Sequence, residues 1–366
     1  MKISLLPLSV FNYMPEDTLF DKINAHVKYD LITDQDIYDI RIGKLLADYK
    51  IVWPYGVPYS RFNRPGYMTN MFEKPIPTIT TTDTFEDLTD KRAVDLSKKY
   101  SNTDKNIFVY WSGGIDSTLI MSALYKNWDK KLLDRVTVVL TADSIISYPD
   151  FYAKFIKDRF PTRFLGTFLG TQEGFCIHGD MADALWIQGN IVSLSSQGLP
   201  ILEDDVNKDP SVFFKSIPTI PNDKVAQKVL DYALDDSSKA GIRLKTTSDI
   251  FWWLNFSFQY ENMYVKHLRE LVPYTRENLT AYKLYQDFWF DTEDYQAWSI
   301  RAQYDGTKFD GSLVSYKMPA KKYIYEFDKN PYAMIHRSKM GSGYTMLTGG
   351  TNSVLFDDGS KLNFNV

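Results

Sequence analysis

From residue 106 onward, short continuous apolar runs alternate with stretches whose apolar residues recur at helical spacing. Residues 107–111 (IFVYW) and 136–140 (VTVVL) carry no charge and read as strands buried on both faces. Residues 163–169 and 175–178 are predicted as a third and a fourth strand, with helices over 117–127, 150–159 and 181–188. Such alternation predicts an α/β fold, a parallel sheet of about five strands with helices on both faces. Upstream, Phe85, Leu88, Ala93 and Leu96 mark one face of a helix that Thr84 can cap. Residues 76–84 (IPTITTTDT) read as a linker, which makes 1–84 an N-terminal extension of mixed structure. Downstream, helices are expected over 223–234 and 248–271, the second strongly aromatic, as part of a helical C-terminal lobe. The tail, 346–366, has a hairpin pattern turning at Asp358-Gly359. The main domain is therefore expected over 85–345.

Composition narrows the class. The 366 residues, 44% hydrophobic and 24% charged, suffice for two domains or one large domain with additions. A net charge of −4 disfavours a surface built for nucleic-acid phosphates. Cys176 is the only cysteine, which removes disulfides and zinc ribbons; beside Ile177-His178 it reads as a core residue rather than a nucleophile. The four histidines, His26, His178, His267 and His336, have no metal-ligand spacing on one helix. No apolar run approaches the roughly 20 residues of a membrane helix, so the expectation is a soluble, cytoplasmic protein.

The chemistry concentrates where the first strand ends. Ser112-Gly113-Gly114-Ile115-Asp116-Ser117-Thr118 joins that strand to a helix. Paired glycines allow backbone angles and close approaches that other residues forbid. A helix starting at once aims its free amides and the positive end of its dipole at the same point. Ser112, Ser117 and Thr118 add hydroxyls, completing a cradle for phosphate oxygens. A carboxylate in such a cradle repels the anion unless a divalent cation bridges them, so Asp116 predicts Mg²⁺. The GxxxxGK[ST] loop of kinase-type nucleotide sites does not occur, which disfavours transfer of the γ-phosphoryl group.

SGGIDST is similar to the SGGxDS signature of the PP-loop ATP pyrophosphatases. The resemblance implies an adenine nucleotide alpha hydrolase-like fold. It also implies that the loop holds the β,γ-pyrophosphate that leaves when a substrate oxygen attacks the α-phosphorus. Residues 178–185 (HGDMADAL) resemble the G-E-G-A-D-E-L segment of the asparagine synthetase and β-lactam synthetase branch, with Met181 and Ala184 standing where that pattern has glycine and glutamate. This implies a second magnesium carboxylate at Asp183, a phosphate-side contact at Gly179, and adenine against the backbone of Leu140 and Thr141. The alternative for Asp180 and Asp183, as acids complementing a helix amino terminus, carries less weight than the metal role. Fainter likenesses lie at Phe290-Asp291, at Lys317-Met318-Pro319-Ala320-Lys321 and at residues 337–343 (RSKMGSG). The last resembles an R-x-K-x-G segment and makes Lys339 the candidate catalytic cation at the reacting centre.

The resemblance covers about 85–345 and stops at the front. A glutaminase of the asparagine synthetase kind needs a cysteine after the initiator methionine, where Lys2 stands, and more than 84 residues. The resulting expectation is an ATP-dependent, AMP-forming ligase. It would adenylate a carboxylate or amide oxygen of a small-molecule acceptor, and an amine or ammonia would then displace AMP. ATP and Mg²⁺ are the expected cofactors, and an oligomer is open. The alternatives are another PP-loop enzyme acting on a nucleotide or nucleobase, and a binding or structural protein on the same scaffold.

Overall fold

The computed structural model describes residues 81–165, 173–187, 223–268, 284–335 (without 309, 311 and 313), 353–355 and 361–363. The described residues group into two compact units. The first draws on residues 81–182, 275–298 and 317–366, the second on 183–274 and 299–316.

Helix α1 (Phe85–Ser101) opens the first unit. Thr84 caps it through a capping box with Asp87, the side chain of each bonding the other's backbone amide. Glu86 and Asp87 in the first turn and Lys98 and Lys99 in the last complement the helix dipole. Its buried face carries Phe85, Leu88, Ala93, Leu96 and Tyr100, as the sequence spacing predicts.

Five parallel strands follow: β1 (Asn106–Tyr110), β2 (Val136–Leu140), β3 (Thr162–Phe164), β4 (Gly174–His178) and β5 (Gln286–Phe288). Their order across the sheet is β3-β2-β1-β4-β5. Ile107 and Val109 are fully buried, as are Val138 and Val139 on β2 and all of β4, which is why these runs lack polar alternation. From β1 the chain adds strands in one direction, through β2 to β3, then returns to the other side of β1 for β4 and β5. The reversal falls between β1 and β4, and ligands of open parallel sheets bind at the carboxyl ends beside such a reversal.

Between β1 and β2 run α2 (Ile115–Asn127) and the short α3 (Lys130–Leu133). After β2 come α4 (Ala142–Ser147) and α5 (Pro149–Phe151), continued by a π-helical turn, Tyr152–Ile156. The single helix expected over 150–159 is thus the short α5 and a π turn. Tyr148 closes α4 with φ −151 and ψ 73, and Pro149, which disfavours a helical conformation in the residue before it, starts the next. The helix expected over 181–188 is a 3₁₀ turn, Asp180–Leu185.

Helix α9 (Met318–Asp328) lies along α2. Near the amino end of both, Lys317 Nζ meets Asp116 Oδ2; near the carboxyl end of both, Phe327 packs on Tyr125 with ring centroids 5.8 Å apart. The two helices therefore run parallel, with their amino termini at the same end. Asp90 of α1 ties the bundle, accepting hydrogen bonds from Lys126 and Asn127 of α2 and from Tyr323 of α9.

In the second unit, α6 (Asp223–Lys239) packs on α7 (Thr247–Leu268). Trp252, Trp253 and Phe256 form its aromatic core, with the Trp253 indole donating to Asp236 and that of Trp252 to Ser299. Ser299 lies on α8 (Glu293–Tyr304), whose first turns belong to the first unit. Strands β6 (Ser353–Leu355) and β7 (Lys361–Asn363) pair antiparallel. No helix among the described residues is long and apolar enough to cross a membrane.

Candidate phosphate-binding site

The loop after β1 owes its shape to Gly113, which has φ +68, in the left-handed region that side chains disfavour. A Cβ there would lie 2.1 Å from the Ser144 carbonyl oxygen and 2.8 Å from Ser147 Cβ, so the loop presses directly on helix α4. Gly114 has ordinary extended backbone, φ −78 and ψ 171, and is the N-cap of α2. Gly114 has no side chain with which to cap that amino terminus.

The hydroxyls divide into two sets. Thr118 is fully buried and accepts the Trp111 indole N–H at 3.2 Å, anchoring the back of the loop to the end of β1. Ser117 Oγ accepts the Ser112 amide at 3.0 Å and lies 3.1 Å from Ser112 Oγ, which also accepts the Gly114 amide at 3.4 Å. Ser112 and Ser117 thus cross-brace the turn, while Thr118 faces the core and not the loop's mouth. Ile115 and Asp116 open the helix and are partly exposed.

Two other strand ends meet this loop. Thr141, after β2, caps α4 through a box with Ser144, whose carbonyl is the one that abuts Gly113. Leu140 is a core side chain, 2% exposed, so only its backbone is offered at the sheet edge. Gly179, after β4, packs on the loop: a Cβ there would sit 3.4 Å from Asp116 Cβ and 3.4 Å from Ile120 Cδ1. The ends of β1, β2 and β4 therefore converge on Ser112–Asp116. His178, at the end of β4, is buried and stacks on Tyr110 with centroids 4.0 Å apart.

Asp116 carries the loop's charge. Its side chain is 25% exposed and accepts a hydrogen bond of 2.7 Å from Lys317 Nζ, whose own side chain is 5% exposed. Sequence inspection marks Lys317 only as part of the faint likeness at residues 317–321 and gives it no partner. Its position follows from the packing of α9 on α2.

Asp183 begins the second unit, within the 3₁₀ turn after Gly179, and is partly buried. Asn255 of α7 fixes that turn by donating to the carbonyls of Asp183 and Trp186. Met181 and Ala184, the two departures from the G-E-G-A-D-E-L pattern, are fully buried and serve as packing. Cys176 is buried in β4 against Phe108 and Val139, and burial pushes its thiol pKa up, away from nucleophilic use. Lys339, the proposed catalytic lysine, lies outside the described residues, as does the whole of 337–343.

Among the described residues no three His, Cys, Asp or Glu side chains are grouped to hold a metal ion by themselves. Magnesium that accompanies a phosphate ligand takes one or two carboxylates from a protein and completes its shell with phosphate oxygens and water. The donor set at this loop, one partly exposed carboxylate at the amino terminus of α2, fits such a group. No protein-family model matches the chain, and no curated protein matches it.

Proposed function

We propose that this protein binds ATP at the Ser112–Thr118 loop and cleaves it between the α- and β-phosphates, as an AMP-forming ligase of the PP-loop, asparagine synthetase-like kind. The observation that carries the reading is the loop itself. A left-handed Gly113 turns the chain from a buried parallel strand into the amino terminus of helix α2, at the point where the strand order reverses.

The chain's own residues have distinct parts in this reading. The first-turn amides of α2 and the Ser112 and Ser117 hydroxyls bind the β,γ-pyrophosphate end of ATP. The backbone of Leu140 and Thr141 takes the adenine, and Gly179, beside Asp116, is the phosphate-side contact after β4. Asp116 would hold Mg²⁺, which would neutralise charge on the departing pyrophosphate; Asp183 is a second carboxylate only on the sequence resemblance. Holding the pyrophosphate without a P-loop lysine at the γ-phosphate favours attack at the α-phosphorus. A carboxylate or amide oxygen of a small-molecule acceptor displaces pyrophosphate there, and an amine or ammonia then displaces AMP from the acyl group. Lys339 is the candidate for stabilising charge on the α-phosphate and acyl oxygens.

The test is product analysis. The protein is incubated with ATP, Mg²⁺ and pooled amino acids, amines and nucleosides, and AMP, ADP, pyrophosphate and orthophosphate are separated. The expected products are AMP and pyrophosphate in equal amounts. ADP with orthophosphate would overturn the reading.

A further inference from the structure

Asn255 is fully buried between Leu254 and Phe256, in the aromatic run of α7. Its amide nitrogen donates to the carbonyls of Asp183 and Trp186. The opposite orientation would set the amide oxygen against those two carbonyl oxygens, so the contacts fix which way the side chain points. Its Oδ1 is then buried with no hydrogen-bond partner. A buried polar side chain is seldom left half satisfied unless its other half is needed. Here the other half secures a turn.

A second side chain grips the same turn. Ser299 of α8 donates to the Leu185 carbonyl at 2.9 Å, and is itself held by the Trp252 indole at 3.1 Å and the Lys308 ammonium at 2.7 Å. Buried donors from two helices thus take the carbonyls of Asp183, Leu185 and Trp186. A 3₁₀ turn this short has almost no hydrogen-bond ladder of its own, so these donors set its backbone. Ala184, Leu185, Trp186 and Ile187 are buried, and within 183–187 only the Asp183 side chain reaches solvent. The clamped turn presents one carboxylate.

We infer that Asn255 is a positioning residue, which by clamping the backbone of Asp183 fixes that carboxylate as a ligand for the divalent cation accompanying the phosphates. The inference rests on the reading of Asp183 as the second magnesium carboxylate. A carboxylate whose backbone is already immobile loses less freedom when it takes up a cation, so the clamp appears as metal affinity. Leucine has a similar shape and would fill the same space, but it would leave both turn carbonyls without their donor.

Mn²⁺ serves as the probe, since its electron paramagnetic resonance signal counts the free ion, and thermal melts verify folding. In the presence of pyrophosphate the wild type is expected to bind Mn²⁺, and Asp183→Asn to bind it more weakly. Asn255→Leu is expected to lose about tenfold or more in Mn²⁺ affinity, the usual cost of removing a group that orients a metal ligand. Its affinity for metal-free pyrophosphate should stay at the wild-type value, which a damaged fold does not give. The double variant should bind Mn²⁺ no more weakly than Asp183→Asn alone, because Asn255 acts only through Asp183. Additive losses, an unchanged Mn²⁺ affinity in Asn255→Leu, or a fall in its metal-free pyrophosphate binding would each overturn the positioning role. If Asn255→Leu does not fold, Ser299→Ala, which frees the Leu185 carbonyl alone, decides. A smaller loss of Mn²⁺ affinity is expected there, and none would count against the clamp. Unchanged Mn²⁺ binding in Asp183→Asn would instead remove the metal reading of Asp183 itself.

Discussion

Gly113 and Lys317 face the same loop with positive φ angles. Gly113 is there because nothing larger fits: an added Cβ meets a backbone carbonyl at 2.1 Å, and that carbonyl belongs to a capped helix that cannot easily retreat. Gly113→Ala is therefore expected to lower unfolding stability by at least about 2 kcal/mol, the left-handed penalty plus the overlap. Gly114→Ala, at a backbone angle any residue adopts, should cost less. Denaturant unfolding of the two variants side by side gives the comparison, and equal midpoints would refute this account of the turn. The need for Gly113 is legible in the sequence, since two glycines between a strand and a helix announce a tight turn. Lys317 is not, because a lysine in the left-handed region has no sequence signature and its partner comes from a distant part of the chain. Thr118 is a third case. Its hydroxyl looks like a phosphate donor in the motif, but the Trp111 indole, seven residues earlier, claims it.

At the scale of elements, α1, α2 and α9 form the scaffold that fixes the loop, and Asp90 is their common bond. Burial raises the Asp90 pKa, and the hydrogen bonds from Lys126, Tyr323 and Asn127 outweigh it, so the net shift is downward from 3.8. A carboxyl group whose folded pKa is depressed stabilises the fold above its unfolded pKa and loses that contribution as pH falls through the folded value. Asp90→Asn should consequently be less stable than the wild type at neutral pH, with the gap closing as pH drops below 3.8. Thermal melts of both proteins from pH 7 to pH 2.5 test this, and a gap independent of pH would count against it. Elements of this kind are legible where one face is apolar and the ends are capped: α1, β1, β2 and β4 all lie within about two residues of where the pattern sets them. β5 is not legible, because its central residue is an aspartate. Asp287 is tolerated in the sheet because Tyr100 and Lys99 of α1 hydrogen-bond it at 2.7 and 2.6 Å. The helix expected over 150–159 is misread for a related reason: apolar spacing does not distinguish an α-helix from the π turn that Tyr152–Ile156 adopts.

For the whole molecule, the strand order is what turns a loop into a site. Because the sheet reverses between β1 and β4, the Ser112–Thr118 loop opens beside Gly179 and against the start of α4, and not under a neighbouring crossover. A sequence can announce the strands and the loop, but the reversal depends on which strands pair, and only the register of β1 with both β2 and β4 defines it. The same placement gives the account its central claim, that ATP bound here loses pyrophosphate. Positional isotope exchange tests it most directly, because it reports the bond that breaks even when the second substrate is missing. ATP labelled with ¹⁸O in the α,β-bridge, and separately in the β,γ-bridge, is incubated with the protein, Mg²⁺ and an acceptor pool lacking amines, and followed by ³¹P NMR. The account predicts that the α,β-bridge label moves into the β-nonbridging positions while the β,γ-bridge label stays in place. Movement of the β,γ-bridge label alone would contradict it.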